Sequence, residues 1–171
     1  MRKTVLSFGF ASAALSVAMM LATVPLLDSI GFEKTDLIGY TTIVLSALIV
    51  FFGVRSYRDT AVAGRITFGR GFALGLLITL VSCVASVVAF QIVYFKVTPE
   101  FGDKFAACMV ERAQAAGASP QKLEETAKQA QMLKELYDSP LTNAALTFVQ
   151  PFPIGLVASA LSAAILRRRR A

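Results

Sequence analysis

Residues 71–95 read GFALGLLITLVSCVASVVAFQIVYF, a run of 25 positions without a charged side chain. The hydrocarbon core of a bilayer is about 30 Å thick and an α-helix rises about 1.5 Å per residue, so about 20 apolar residues cross it. The apolar character of this run is continuous and does not alternate, which favours a helix over a barrel strand. The run therefore predicts a transmembrane helix.

Three further charge-free runs accompany this one, at residues 4–27, 37–54 and 139–166, with 24, 18 and 28 residues. The chain is 56% hydrophobic and only 16% charged, which is unusual for a water-facing surface. Four such runs in 171 residues favour a membrane protein over a soluble protein with buried core helices. We predict an all-α polytopic protein, one membrane domain over residues 1–171, with spans at about 4–27, 37–54, 71–95 and 141–166.

The charged residues divide unequally between the two sides that these spans define. The side that holds both termini has ten basic residues and one acidic residue, Asp59, whereas the other side has seven basic and ten acidic residues. Lys and Arg are retained on the cytoplasmic side of a membrane. We therefore expect both termini in the cytoplasm, residues 96–138 outside, and the arginines at 167–170 against anionic lipid headgroups at the cytoplasmic face.

The first apolar run also resembles a secretory signal, because it follows Arg2 and Lys3 and contains a passable cleavage site at Ser16-Val17-Ala18. Signal cores reach about 15 apolar residues, and this run is longer, which favours an uncleaved anchor. Cleavage after Ala18 would leave the orientation of the other three spans unchanged.

The segment between the third and fourth spans predicts a helical hairpin. Its first helix is expected near residues 99–116 and ends at Gly117, and its second is expected near 120–137, with Ser119 as N-cap and Pro120 in the first turn. Apolar residues recur at helical spacing in both helices. These narrow stripes either face one another or form a binding face for a partner.

The residue inventory predicts no catalytic, metal or cofactor site. Histidine is absent, and the only cysteines are Cys83 and Cys108, which removes most zinc sites and the usual nucleophile–base pairs. The basic residues lack interleaved aromatic side chains for stacking bases, so we expect no nucleic acid partner. The sequence therefore favours a protein that is not an enzyme.

Glycine and other small residues recur at four-residue intervals in two spans. Gly71 and Gly75 begin the third span, and Gly155, Ser159 and Ala163 lie in the fourth. Such spacing lets helices approach closely. The contact that it predicts lies either inside the bundle or between two copies of the chain.

The fourth span contains Pro151 and Pro153, which remove two backbone donors and predict a kink or a break. Gln91, Asn143 and Gln150 are uncharged polar residues in or beside the apolar runs. The break therefore either fits the helix against its neighbours or, with these amides, lines a polar path.

A basic segment at residues 55–70 is predicted to connect the second and third spans on the inner side. Asp59 is its only acidic residue, and Arg55 or Arg58 could pair with it at helical spacing.

Several segments together resemble the bacterial membrane proteins grouped as domain-of-unknown-function family 4199. The most specific reads FFGVRSYRD and ends at Asp59, and the others are Gly39-Tyr40, Ile66-Thr67-Phe68-Gly69 and Pro151-Phe152-Pro153-Ile154-Gly155-Leu156. The likeness extends over nearly the whole chain. It implies a bacterial inner-membrane protein of four helices and supplies no activity.

Two functions remain open from the sequence. The first is a non-enzymatic envelope or accessory component that binds a protein partner through the outer hairpin or forms a homo-oligomer. The second is a small oligomeric transporter or lipid-handling protein that uses the polar path. The spans contain no Asp, Glu, Lys, Arg or His, although ion-coupled transport usually requires such a residue, and this favours the first function.

Overall fold

The computed structural model describes residues 1–23, 27–62 and 64–167, without the side chains of residues 23–36. The predicted end of the first span at residues 24–26 and the arginines at 168–170 fall outside these ranges. Within them all regular secondary structure is helical and no strand is present, as predicted. Seven α-helices and one π-helical turn follow in order: α1 Arg2–Thr23, α2 Leu27–Ala61, α3 Phe68–Ile92, the π-helical turn Val93–Val97, α4 Phe101–Ala115, α5 Pro120–Asp138, α6 Pro140–Val149 and α7 Phe152–Leu166.

Four helical segments of the described residues are long and apolar enough to cross a membrane, in the order that the sequence predicts. They are Arg2–Ala22, Leu37–Ala61, Phe68–Val97 and Pro140–Leu166. Helices suit this environment because their backbone donors and acceptors pair within the segment. The chain is therefore built as a multi-pass membrane protein.

The second helix is longer than the span predicted at residues 37–54. α2 contains 35 residues and continues to Ala61, and α3 begins at Phe68, so ten of the sixteen residues of the predicted inner loop are helical. The hydroxyl of Thr60 donates to the carbonyl of Ser56 at 2.7 Å within this extension. Gly64, with a φ of 78°, follows the end of the helix in a left-handed conformation that only glycine adopts readily. The linker between α2 and α3 is correspondingly short.

The chain forms two compact units, and the first comprises Met1–Val87 and Phe148–Ala171. Small residues bring its helices into close contact. A Cβ added at Gly75 would lie 2.9 Å from Ser159 Cβ, and one at Gly71 would lie 3.2 Å from Ala163 Cβ. The small-residue patterns of the third and fourth predicted spans therefore pack on each other inside the bundle. The buried core of this unit is Val5, Val50, Val54, Ile66, Leu74, Ile78 and Leu166.

The second unit is Val88–Thr147 and contains α4 and α5. α4 packs against α5. Gly117, with a φ of 72°, lies between them, and the Ser119 side chain accepts a hydrogen bond from the Lys122 amide, with Pro120 in the first turn of α5. These are the turn and cap that the sequence predicts. An aromatic cluster of Phe90, Tyr94, Phe101 and Tyr137 packs the end of α3 against α4 and α5.

Candidate functional site

Hydroxyl side chains join the helices of the first unit near the middle of their apolar segments. We call Ser12, Ser16, Ser46, Thr79, Ser82 and Ser159 the hydroxyl belt. In its first half, Ser82 of α3 donates to the hydroxyl of Ser12 of α1 at 2.9 Å. The hydroxyls of Ser16 in α1 and Ser46 in α2 lie 3.5 Å apart, and Ser16 also donates to the Ser12 carbonyl at 3.1 Å. The first half thus links α1 to both α2 and α3.

The second half of the hydroxyl belt links α3 to α7. Thr79 Oγ1 lies 3.4 Å from the Gly155 carbonyl oxygen and 3.4 Å from Ser159 Oγ. Ser159 donates to the same Gly155 carbonyl at 2.7 Å. This geometry needs glycine at 155, because an added Cβ would overlap the Thr79 side chain. Each belt hydroxyl therefore has a partner within the protein, and the belt ties four helices together.

Each interhelical hydrogen bond of this kind contributes only a small free energy to the association of membrane helices. Double-mutant cycles between membrane helices average about 0.6 kcal/mol, with a maximum of about 1.7 kcal/mol. The hydroxyl belt is therefore a set of modest contacts added to close packing. Ser12 and Ser159 are 1% and 0% exposed, so water does not compete for these groups.

Asn143 and Gln91, two residues predicted to line a polar path, both bind backbone where α5 gives way to α6. Asn143 is 0% exposed; its Nδ2 donates to the Tyr137 carbonyl at 2.8 Å, and its Oδ1 accepts from Thr147 at 3.3 Å. Gln91 Nε2 donates to the Pro140 carbonyl at 2.6 Å. The Tyr137 carbonyl needs this donor because α5 ends at Asp138, one residue later. Both amides thus donate hydrogen bonds to backbone carbonyls at the junction between α5 and α6.

The proline break that the sequence predicts in the fourth span is confirmed. α6 ends at Val149 and α7 begins at Phe152, with Gln150 exposed in the intervening turn. Pro151 has no amide to donate, and its carbonyl accepts from Gly155 at 3.0 Å to begin α7. Pro153 lies in the first turn of α7, where a missing donor costs little.

Asp59 is brought together with both of the arginines that the sequence offers as alternative partners. Arg58 Nε lies 2.7 Å from Asp59 Oδ1, and Arg55 Nε lies 3.7 Å from Asp59 Oδ2. The Asp59 side chain is 45% exposed and the Arg55 side chain 54% exposed, so solvent screens the pairs. These contacts orient the two guanidinium groups more than they stabilise the fold.

The second unit holds a polar network that the sequence did not reveal. Tyr94, in the π-helical turn, is 3% exposed and donates its hydroxyl to Asp138 Oδ1 at 2.8 Å. A Cβ at Gly102 would lie 2.6 Å from that hydroxyl, so the absence of a side chain at Gly102 lets α4 approach Tyr94 closely. Lys134 of α5 forms an ion pair with Asp103 of α4, and this hydrogen bond raises the pKa of Lys134 above its ordinary value.

The belt was only partly visible in the sequence. Ser12, Ser16 and Ser159 stand out as small residues in apolar runs, but Thr79 and Ser82 carry the hydroxyls that complete the links. Thr79 and Ser82 are three residues apart in an apolar run, so they lie on one face of the helix, and this spacing is the sequence pattern that could have indicated them. In the described part of the chain, no group of His, Cys, Asp and Glu could hold a metal ion.

Comparison with known proteins identifies the family of the chain but no individual relative. No curated protein and no solved structure matches the chain. A family model described as protein of unknown function, DUF4199, matches residues 7–168, which is nearly the whole chain and confirms the resemblance carried by the FFGVRSYRD stretch. The chain belongs to the DUF4199 family of proteins of unknown function.

Proposed function

We propose that this chain is a non-enzymatic component of a bacterial inner membrane that binds a protein partner on the outer side. Its four spans serve as an anchor with both termini in the cytoplasm. α4 and α5 form a helical hairpin outside the membrane and carry the binding surface. The membrane anchor and the hairpin thus have separate tasks.

The observation that carries this proposal is the internal use of polar groups within the apolar segments. The hydroxyls of the hydroxyl belt hydrogen-bond to one another or to helix carbonyls, and the amides of Asn143 and Gln91 hydrogen-bond to backbone carbonyls. Groups engaged in this way stabilise one arrangement of helices. They favour a fixed anchor over a transporter, whose polar groups would have to exchange partners with a passing solute.

The surface of α5 supports a partner-binding role for the hairpin. Met132 is 64% exposed and Leu136 is 40% exposed, and they lie one turn apart on a helix otherwise rich in charge. Residues four apart share one face of a helix, so the two side chains form a small apolar contact surface. Ion pairs of Lys122 with Glu125 and of Lys128 with Glu124 lie on the same helix. Apolar anchors within a polar surface are typical of a protein interface.

The hairpin is also ordered by its own contacts, as an interaction module needs to be. The Ser119 cap begins α5, and the Lys134–Asp103 ion pair joins α5 to α4. A surface that is ordered before binding loses less conformational entropy in the complex. This favours recognition through a preformed helical face.

Native mass spectrometry of the protein, extracted in mild detergent from its own membrane, tests the proposal. We expect a stoichiometric second polypeptide with the wild type, and its loss from the double variant Met132→Glu/Leu136→Glu. The matched control Gln121→Glu/Gln129→Glu adds the same two charges to exposed positions of α5 and should retain the polypeptide. A wild-type homo-oligomer that carries only lipid or a small molecule would overturn the proposal and favour transport or lipid handling.

A further inference from the structure

Buried residues from three parts of the first unit meet at one end of its helices. Val54 of α2, Ile66 of the α2–α3 linker and Leu166 of α7 belong to one buried cluster. Gly71 of α3 lies beside it, since a Cβ there would be 3.6 Å from Val54 Cγ1 and 3.2 Å from Ala163 Cβ. The end of α2, the beginning of α3 and the end of α7 are therefore neighbours.

Each of these four residues, Val54, Ile66, Gly71 and Leu166, has an arginine as its neighbour in the chain. A further arginine follows Tyr57, which packs against the same cluster. The packing of the buried residues thus gathers five basic side chains at one end of the unit. We call these five the arginine cluster: Arg55, Arg58, Arg65, Arg70 and Arg167.

The arginine cluster has a large excess of positive charge. Asp59 is the only acidic residue between positions 54 and 71, and it contacts Arg55 and Arg58 through their Nε atoms. A guanidinium has five N–H donors, one on Nε and four on the two terminal nitrogen atoms, so the ion pairs with Asp59 use the Nε donor of each arginine. Arg55, Arg65, Arg70 and Arg167 are exposed. Planar donors of this kind match the oxygen atoms of a phosphate group.

Large exposed apolar side chains lie within one helical turn of the cluster. Phe52, Phe68 and Ile165 are 50%, 43% and 69% exposed, and they precede Arg55, Arg70 and Arg167 by three, two and two residues. The cluster also lies at the ends of segments long enough to cross a membrane. A ligand that fits has an anionic phosphate beside a hydrocarbon chain.

We propose that the arginine cluster is a binding site for the headgroups of anionic phospholipids. The guanidinium groups bind the phosphodiester, and Phe52, Phe68 and Ile165 contact the acyl chains. Asp59 holds Arg55 and Arg58 close to each other at the edge of the site. The site is independent of any protein that binds α4 and α5.

Native mass spectrometry with added lipid tests this site, with phosphatidylglycerol compared with phosphatidylcholine as the probe. We expect preferential binding of phosphatidylglycerol to the wild type. Arg55→Gln/Arg58→Gln and Arg65→Gln/Arg70→Gln should each weaken it about 30-fold, because a basic residue near an anionic surface contributes about fivefold. The second double variant leaves the Asp59 ion pairs intact, so it tests the site even if the first variant folds poorly. Thermal unfolding monitors the fold of both.

The control Lys122→Gln/Lys128→Gln removes two lysines of α5 and should bind phosphatidylglycerol as the wild type does. Inorganic phosphate in large excess should not displace the lipid, because it lacks the acyl chains. Wild-type affinity in either arginine variant would overturn the proposal. Equal weakening in the lysine control would also overturn it, since binding would then follow net charge alone. Displacement by inorganic phosphate would show that the cluster binds free phosphate and would exclude a lipid site.

Discussion

The hydroxyl of Ser82 in α3 donates a 2.9 Å hydrogen bond to the hydroxyl of Ser12 in α1. Ser12 is 1% exposed, so this contact is formed away from solvent. Three residues earlier on α3, Thr79 contacts α7 through Ser159 and the Gly155 carbonyl. α3 therefore forms hydrogen bonds to both α1 and α7, and its polar residues help to stabilise the packing of the first unit.

A double-mutant cycle of Ser12→Ala and Ser82→Ala measures this link. Each single substitution removes one partner of a shielded hydrogen bond, and we expect a coupling free energy of about 0.6–1.7 kcal/mol in unfolding experiments in detergent. Ser7→Ala, at an exposed position of α1, serves as control and should change the free energy of unfolding by less than about 0.5 kcal/mol. Additive effects of the two substitutions would contradict the link.

Gly75→Ala should disrupt the packing of α3 on α7. The new methyl would lie 2.9 Å from Ser159 Cβ and 3.1 Å from its Cα, so backbone has to move. Overpacking of this kind costs about 1–3 kcal/mol of the free energy of unfolding. Gly69→Ala is the matched control on the same helix, since no atom lies within 4 Å of its added Cβ, and it should be neutral or slightly stabilising. Equal stability of the two variants would show that α3 and α7 are not in close contact.

Tyr94→Phe should loosen the second unit. The substitution removes the hydroxyl that donates to Asp138 and leaves the aromatic packing in place, which costs about 1.5–3 kcal/mol for a hydrogen bond to a charged acceptor. We expect faster hydrogen exchange in the last turn of α5, where Asp138 lies. Tyr40→Phe changes the same atom at a position that is 70% exposed and should leave exchange unchanged. Unchanged exchange in both variants would refute a structural role for the Tyr94 hydroxyl.

The stability of the α4–α5 contact should fall at high pH. The hydrogen bond to Asp103 raises the pKa of Lys134, so the folded state binds this proton more tightly than the unfolded state. The resulting stabilisation is complete below the ordinary lysine pKa of about 10.4 and is lost as the pH rises through the higher pKa of the folded state. Thermal unfolding followed from pH 8 to pH 11, measured by circular dichroism, should show this loss in the wild type.

Lys134→Met should lack that part of the pH dependence, because the titrating group is gone. Lys128→Met removes an exposed lysine of the same helix whose ion pair with Glu124 lies within α5. It should keep the wild-type dependence, since Lys134 and Asp103 are intact. An identical pH profile for Lys134→Met and the wild type would assign the effect to other groups.

The order and type of the helices could be predicted from the sequence because uninterrupted apolar runs leave few alternatives in a membrane. The cap at Ser119, the turn at Gly117 and the break at Pro151 followed from local backbone chemistry in the same way. The end of α2 at Ala61 is not predicted by the sequence, because a charged residue marks the end of an apolar span and not the end of a helix. A helix can continue beyond the span, since its backbone donors and acceptors are paired within the helix in water as well as in lipid.

Most contacts of the candidate site could not be predicted from the sequence, because they depend on how the helices are placed in three dimensions. Asp59 was expected to pair with Arg55 or Arg58 from helical spacing, and it pairs with both. Asn143 is one of the amides that the sequence offers for a polar path. Its contact with the Tyr137 carbonyl could not be predicted, because that carbonyl lacks a helical partner only where α5 ends. The contact between Ser82 and Ser12 depends on which faces of α3 and α1 are turned toward each other, and uniformly apolar runs do not predict this.

Thiol labelling in intact cells, with only the outer barrier opened, tests most directly the outer location of α4 and α5. Single cysteines are introduced as Lys128→Cys, on the exposed surface of α5, or Arg65→Cys, in the exposed α2–α3 linker, each with Cys83→Ala and Cys108→Ala. We predict that a membrane-impermeant maleimide labels Lys128→Cys at once and labels Arg65→Cys only after the inner membrane is lysed. The reverse pattern would contradict the orientation and the proposed partner-binding role of the hairpin.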